Sequence, residues 1–367
     1  MKKIFFIIIV LYAFNLYAGP KILYDTAYVV TSTSATEEYG IFGMFDGNIR
    51  LVDAKTSEII LLNMAHKKPV VSINVSADGK YMVTAGQDDT IIFWDMVALK
   101  EIKRIVKQGM GIRGVVLNND GSKLYIAYPS QIFEYDTKSW VNTGLYDGYE
   151  NGIYSIALNY EGTLLATGSK NGEISILDLK KGEITSTYNA GRELIISLDY
   201  AYNDNTLIAG SYDKSVRVYK DGKTRPVKEF SLFKDTVRGV KINSKGTMAL
   251  AGSDDGNVIL YDLVNNKFSE LELNKKGEIT SISAPKSFNF ILAGKGTAFE
   301  EEHYGIILYP AKKMIFRKLY SFQTSDIIIS ENDKIEGRGS FGEYIRVYHN
   351  GNIGNLSEYM GIEKVNF

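Results

Sequence analysis

A short apolar strand, usually closed by an aspartate, recurs eight times along the chain. Five consecutive intervals between these strands are 41 or 42 residues long. A period of about 42 residues is typical of a unit of four short strands, and chance would not keep it constant to one residue over five intervals. The strands end at Asp53, Asp95, Asp136, Asp178, Lys220, Asp262, Pro310 and His349.

The fourth unit shows the order of strands most clearly. The alternating segment 153–158 predicts a half-buried strand, and the turn 159–162 leads to a second strand over 164–169. Lys170-Asn171-Gly172 predicts a tight hairpin before the third strand, and 183–188 supplies the fourth. One such antiparallel blade cannot bury both faces, so neighbouring blades must stack and the ring must close. The sequence therefore predicts an all-β propeller of four-stranded antiparallel blades.

The number of blades and the way the ring closes are separate questions. Eight copies of the third strand favour eight blades, with seven as the alternative. The ring could close through the tail Gly361–Phe367, as a strand overlapping the first blade. It could instead close through Lys21–Tyr24, as the outer strand of the last blade. The sequence does not choose between these closures.

The second unit carries the most distinctive motif, from His66 through Thr84 and Asp88 to Trp94-Asp95. Over residues 25–360 the chain resembles the WD40-repeat family, as a divergent, exported bacterial type. The resemblance implies that His66, Thr84 and Asp88 form a hydrogen-bonded set over Trp94, with a structural role. The same turn-fixing role is expected for three aspartates at matching repeat positions, namely Asp46, Asp213 and Asp255.

The first eighteen residues have the composition of a secretory signal peptide. Two lysines precede the apolar run 4–11, and Leu16-Tyr17-Ala18 precedes Gly19. The alternative is a membrane anchor, but a spanning helix needs about 20 apolar residues and this run is shorter. We therefore expect cleavage after Ala18, no stable membrane insertion afterwards, and one propeller domain over 19–367.

Charge and cysteine content exclude several kinds of partner and site. The formal net charge of −1 lacks the basic surplus that nucleic acid requires. The sequence contains no cysteine, which excludes disulfides, thiolate metal sites, a cysteine nucleophile and covalent haem attachment.

Catalytic constellations are not evident in the sequence. The three histidines fall in different units, without the paired spacing of metal ligands or the context of a catalytic triad. The aspartates recur at equivalent repeat positions, whereas a pair of catalytic carboxylates would break the repeat. Two tryptophans are too few for the docking motifs of quinone-dependent propellers. The sequence thus predicts no enzyme, no metal site and no cofactor.

The beginnings of the first strands share one equivalent position, and its residues should form a ring at the central channel and the upper rim. Arginine and tyrosine there are residue types enriched at interaction hot spots. An acidic insertion, Glu300-Glu301-Glu302, is a second candidate contact. Both features could instead be ordinary solvated surface. The equivalent positions are Val71, Arg113, Tyr154, Ile196, Arg238, Thr280 and Asp326, of which Arg113, Tyr154, Arg238 and Asp326 are the candidate rim contacts.

These features predict a periplasmic or secreted, non-catalytic scaffold that binds a protein partner. A cofactor-binding periplasmic enzyme is one alternative. An accessory protein of a periplasmic enzyme system, such as nitrate reductase, is another.

Overall fold

The computed structural model describes most of the chain between residues 29 and 308, and three short strands beyond it. Residues 1–28 and 356–367, Glu300–Glu302 and Asp326 lie outside the described residues, so the signal peptide, both closing segments and the acidic insertion stay predictions. The described ranges are 29–54, 59–62, 65–107, 109–220, 223–271, 277–296, 304–308, 333–335, 346–349 and 352–355, with only the backbone described at 59, 61, 62 and in the last four ranges.

The described strands form six four-stranded antiparallel sheets, each in the chain order that the sequence predicts. The first three sheets comprise β1 (Val30–Ala35), β2 (Tyr39–Met44), β3 (Ile49–Asp53) and β4 (Ile59–Leu62); β5 (Val70–Val75), β6 (Tyr81–Gly86), β7 (Thr90–Asp95) and β8 (Lys100–Val106); and β9 (Gly114–Leu117), β10 (Lys123–Ala127), β11 (Ile132–Asp136) and β12 (Asn142–Tyr146). The next three comprise β13 (Ser155–Leu158), β14 (Leu164–Gly168), β15 (Glu173–Asp178) and β16 (Glu183–Asn189); β17 (Ile195–Tyr200), β18 (Leu207–Ser211), β19 (Val216–Tyr219) and β20 (Lys228–Phe230); and β21 (Val237–Ile242), β22 (Met248–Ser253), β23 (Val258–Asp262) and β24 (Lys267–Leu271).

Two further sheets have three described strands each. The seventh comprises β25 (Ile279–Ser283), β26 (Ile291–Lys295) and β27 (Tyr304–Leu308), and the eighth comprises β28 (Asp333–Ile335), β29 (Arg346–His349) and β30 (Asn352–Asn355). The described residues therefore form six four-stranded blades, and the predictions of eight, or alternatively seven, were wrong for this part of the chain. The seventh sheet has only three described strands and so is not a four-stranded blade, and its strand β25 packs directly against β1, which leaves no place between them for an eighth blade.

Close contacts between sheets show how the ring is built. A glycine near the end of a second strand faces the first residue of the next inner strand. A Cβ on Gly252 would lie 2.8 Å from Ile279, and one on Gly294 would lie 2.7 Å from Val30. Glycine permits this backbone approach because it has no side chain. The contact from Gly294 to Val30 links the seventh sheet to the first, so the ring closes through the same packing that joins the sixth sheet to the seventh.

The core lies between the sheets rather than in one central mass. Each cluster joins the second and third strands of one sheet to the inner strand of the next, as apolar residues on both faces of these strands require. The closing cluster contains Val30, Phe42 and Met44 of the first sheet with Phe290 and Leu292 of the seventh. Outer strands such as β8 are largely exposed. This distribution explains why no single sheet is stable without its neighbours.

A hydrogen-bonded set in the second sheet contains His66, Thr84, Asp88 and Trp94. His66 Nε2 lies 2.8 Å from Thr84 Oγ1. The same Thr84 oxygen accepts a hydrogen bond from Trp94 Nε1 at 3.0 Å. His66 Nδ1 lies 3.3 Å from Asp88 Oδ1, and Asp88 Oδ2 accepts from the Lys67 backbone N–H at 2.8 Å. A neutral imidazole protonated on Nδ1 satisfies every member of this set. Its burial lowers the pKa of His66, although the Asp88 carboxylate opposes the shift.

Three further aspartates, Asp46, Asp213 and Asp255, lie in the corresponding turns. Asp255 Oδ1 accepts from Asn257 N–H at 2.9 Å and its Oδ2 accepts from Lys234 N–H at 2.6 Å. Asp46 and Asp213 accept from the N–H groups two residues ahead, at 2.9 and 3.1 Å. All three carboxylates thus satisfy backbone donors of the turn between second and third strands.

We expect the free energy of unfolding to fall as the pH decreases below about 6.5, partly through His66. The unfolded chain takes up a proton on this imidazole in a range where the buried imidazole stays neutral, so unfolding becomes easier by up to about 1.4 kcal/mol per pH unit. Urea titrations of the wild type and of His66→Gln between about pH 7.5 and 5.5 measure the effect. The other histidines are present in both proteins, so a difference in the pH dependence of the free energy of unfolding reports on His66. If this pH dependence were equal in the two proteins, His66 would not be the group responsible.

Closure through the seventh sheet predicts energetic coupling between Gly294 and Val30. The Gly294→Ala change should destabilise the protein by about 1–3 kcal/mol, because its new methyl group overpacks the contact. Combining it with Val30→Ala should relieve part of that cost, giving a coupling energy of at least about 0.5 kcal/mol. The matched cycle of Gly252→Ala and Ile279→Ala should couple similarly. If the destabilising effects of Gly294→Ala and Val30→Ala were additive while those of Gly252→Ala and Ile279→Ala were coupled, the ring would not close at this contact.

Candidate functional site

The candidate rim is the end of the ring where the inner strands begin. All inner strands run in the same direction, so the second positions of β5, β17, β21 and β25 and the residues just before β9 and β13 lie at this end. The hairpin turns between second and third strands lie there too, because Tyr212 N–H donates to the Leu194 carbonyl just before β17 and Asp254 N–H donates to the Thr236 carbonyl just before β21. The rim therefore combines inner-strand starts with hairpin tips.

Two predicted rim residues from neighbouring sheets contact each other. The Arg113 guanidinium carbon lies 4.6 Å from the centre of the Tyr154 ring. Arg113 is exposed, whereas Tyr154 is half-buried. Such stacking leaves the edge of the guanidinium, with its N–H donors, available to a partner. The pair is a positively charged platform at the third and fourth sheets.

Arg238, the other predicted arginine, lies on the sixth sheet and has a different environment. Its Nε lies 2.7 and 2.9 Å from the two oxygens of Asp254, at the adjacent hairpin tip. The hydrogen bond to Asp254 raises the pKa of Arg238 although burial opposes the shift. Arg238 does not contact the Arg113–Tyr154 pair, so the predicted residues form two separate charged features.

Two exposed aromatic side chains at this rim were not predicted. Phe45 is 48% exposed and Tyr212 is 51% exposed, although large aromatic groups usually bury more of their surface. Each directly precedes a turn aspartate, Asp46 or Asp213. The equivalent positions of the hairpin turns, like those of the inner strands, carry the sequence signal that identifies them. The other equivalent positions, Val71, Ile196 and Thr280, are half-buried.

In the described ranges, no three His, Asp or Glu side chains are grouped so that they could hold a metal ion. That same part of the chain contains no helix with the length and apolar character needed to cross a membrane. The predictions of no enzyme and no cofactor stay predictions.

Comparison with known sequences identifies the repeats. The family described as WD domain, G-beta repeat matches residues 59–95 and 224–262. The family described as Anaphase-promoting complex subunit 4 WD40 domain matches residues 137–203.

Several relatives match over more of the chain than these family models do. The chain is 26% identical over 306 residues to a guanine nucleotide-binding protein subunit beta-like protein from Encephalitozoon cuniculi, covering 78% of this chain and 76% of the relative. It is 23% identical over 193 residues to the target of rapamycin complex subunit wat1 from Schizosaccharomyces pombe, covering 52% and 61%. It is 25% identical over 268 residues to the SIR4-interacting protein SIF2 from Saccharomyces cerevisiae, covering 67% and 49%.

The chain thus spans only about three fifths of wat1 and half of SIF2. Its own features agree with these similarities, since repeats of about 42 residues fold into four-stranded antiparallel sheets arranged in a ring. The repeats, the sheets and the matches together show that the chain contains WD40 repeats and folds into a β-propeller.

Proposed function

We propose that this protein is a non-catalytic scaffold that binds a protein partner on the rim where its inner strands begin. The observation that carries the proposal is the combination of exposed aromatic and arginine side chains at this one end. Arg113, Arg238, Phe45 and Tyr212 are all exposed there. Arginine and large aromatic residues dominate the binding energy of protein interfaces because they combine a large contact area with directional hydrogen bonds.

The contacts of the two arginines within the protein also favour binding, because they restrain the side chains before a partner arrives. Arg113 is held against Tyr154, and Arg238 is held by Asp254, so neither guanidinium loses much conformational entropy when a partner binds. Arg238 lies within β21 and Arg113 directly precedes β9, so neither lies on a long loop. A partner that offers carboxylates or carbonyl groups opposite them would form charge-assisted hydrogen bonds.

The names of two relatives support an interaction role. One is named as a subunit of the target of rapamycin complex and another as a SIR4-interacting protein. Both names describe proteins that work through association with other proteins, and we extend that role to this chain as a proposal.

We also propose that the protein acts outside the cytoplasm, in a periplasm or after secretion. The support is the lysine-containing, apolar segment before Gly19, together with the lack of cysteine in the sequence. Service to a periplasmic enzyme system, such as nitrate reductase, would be one form of this scaffold role.

Site-specific photo-crosslinking tests the rim. A benzoylphenylalanine placed at Phe45 or Tyr212 should crosslink one partner in cells, while the same group at Phe268, an exposed residue of outer strand β24, should not.

With the purified partner, the double variant Arg113→Ala/Arg238→Ala should bind at least about tenfold more weakly, or about 1.4 kcal/mol. The control Arg225→Ala, at the opposite end of the ring, should bind as the wild type does. Equal crosslinking at all three sites, or equal binding by both arginine variants, would refute the rim assignment.

Export predicts a processed N-terminus. Protein recovered from its own cells should begin at Gly19, and N-terminal sequencing together with cell fractionation measures this directly. Recovery of an intact N-terminus from the cytoplasm would contradict export.

A further inference from the structure

The central channel contains a cavity at the end opposite the candidate rim. Its volume is about 110 Å³. The walls come from the last residues of the inner strands in the second to sixth sheets, together with Lys286 from the turn after β25. Of the charged side chains in the described residues, three line this cavity, namely Asp199, Lys241 and Lys286.

Lys286 and Asp199 form a buried ion pair that bridges three sheets. Lys286 Nζ donates to Asp199 Oδ2 at 2.6 Å, to the Tyr200 carbonyl at 2.5 Å and to the Ile242 carbonyl at 3.2 Å. Burial lowers the pKa of Lys286, whereas Asp199 opposes that shift. Burial also disfavours the charge on Asp199, but the two lysines hold the pKa of this carboxyl below its usual value. The three donors of Lys286 are used, and its charge balances that of Asp199.

Lys241 is therefore the surplus positive charge of the cavity. Among the described residues, its one acceptor is Asp199 Oδ1, at 3.5 Å, which is long for a hydrogen bond. Its side chain is only 29% exposed. A partly buried ammonium group with a single distant acceptor has donors left for a ligand, and binding an anion would compensate its desolvation.

A comparison of equivalent repeat positions shows that linking neighbouring inner strands does not require a charged side chain. Asn74, Asp199 and Lys241 occupy the same position in three inner strands. Asp199 accepts from Ile242 N–H in the next sheet at 2.9 Å, and the neutral Asn74 accepts from Leu117 N–H in the same way at 2.8 Å. An asparagine can thus link neighbouring inner strands without introducing charge into the channel.

Further polar and aromatic groups line the same opening. Because Asn74 Oδ1 is held by Leu117, its Nδ2 is a donor for which no described residue supplies an acceptor. Tyr202 packs under Lys286, with Nζ 5.1 Å from the ring centre, and contacts the exposed Tyr160 in a tilted arrangement with ring centres 4.4 Å apart. The cavity thus offers cationic and amide donors inside, and an aromatic surface at its mouth.

We propose that this end of the channel binds a carboxylate group that pairs with Lys241. The group can come from a small free carboxylate or from an acidic side chain of a polypeptide lying across Tyr160. One surplus positive charge matches one carboxylate, whereas the second charge of a phosphate monoester would be left without a counterion in a partly buried site. This site is separate from the rim in the proposed function.

Nuclear magnetic resonance titration of the full-length protein tests this assignment. The probes are sodium propionate, methyl phosphate, and blocked tripeptides Gly-Glu-Gly and Gly-Gln-Gly, each up to about 10 mM, in the range of a weak single-site contact. The amide signals of Leu117 and Ile242 report on the cavity, because these N–H groups bind Asn74 and Asp199. We expect saturable shifts with propionate or Gly-Glu-Gly, and none with Gly-Gln-Gly.

The variants identify the group responsible. Lys241→Met should weaken carboxylate binding at least about tenfold, whereas Lys241→Arg should preserve it. Lys245→Met removes an exposed lysine from the neighbouring turn and should have no effect. Binding by Gly-Glu-Gly but not by propionate would identify a polypeptide source, and the reverse preference would identify a free carboxylate.

Three outcomes would overturn the proposal. They are the absence of saturable shifts with both carboxylate probes in the wild type, saturable binding of the glutamine tripeptide as strong as that of the glutamate tripeptide, and stronger binding of methyl phosphate than of either carboxylate probe. All three are measured on the wild type, so they remain decisive even if Lys241→Met does not fold. Arg113→Ala should bind these probes as the wild type does, which separates this site from the rim.

Discussion

The ring depends on the close approach of a second strand to the inner strand of the next sheet. Glycine makes that approach possible at Gly43, Gly168, Gly210, Gly252 and Gly294, and each meets a β-branched residue of the following sheet. Because the last of these contacts reaches Val30 in the first sheet, it fixes where the ring closes. Apolar side chains then fill the space between sheets, so every sheet buries surface only through its neighbours.

The sequence predicts the individual sheets well because period and alternation are local properties. Third strands end at Asp53, Asp95, Asp136, Asp178 and Asp262, as the repeat indicated. The number of blades is not a local property, because a sequence repeat can occur whether or not the closed ring can include another blade. Closure is decided by the packing of Val30 against the seventh sheet, which joins residues about 260 positions apart. No periodic pattern describes a contact that occurs once.

The candidate rim could be predicted in part for the same reason. Aligning the inner strands predicts that Arg113 and Tyr154 are neighbours, because equivalent positions of adjacent sheets lie side by side. It does not predict that Arg238 turns toward Asp254, since that contact depends on side-chain direction within one sheet. Lys286 was beyond prediction. It lies in a turn 87 residues from Asp199, where a lysine would ordinarily be solvated, and only the ring brings the two together.

Repeat symmetry also provides a way to separate structural charges from functional ones. The turn aspartates Asp46, Asp88 and Asp255 recur at equivalent positions and satisfy equivalent backbone donors, so turn geometry accounts for them. In the channel, by contrast, one repeat position is filled by Asn74, Asp199 and Lys241, and the neutral residue already forms the required link between sheets. Burying ions where an amide suffices costs desolvation energy, which a purely structural role would not repay. The charge of Asp199 is balanced by Lys286, so the ammonium group of Lys241 is the charge that the proposed carboxylate would compensate.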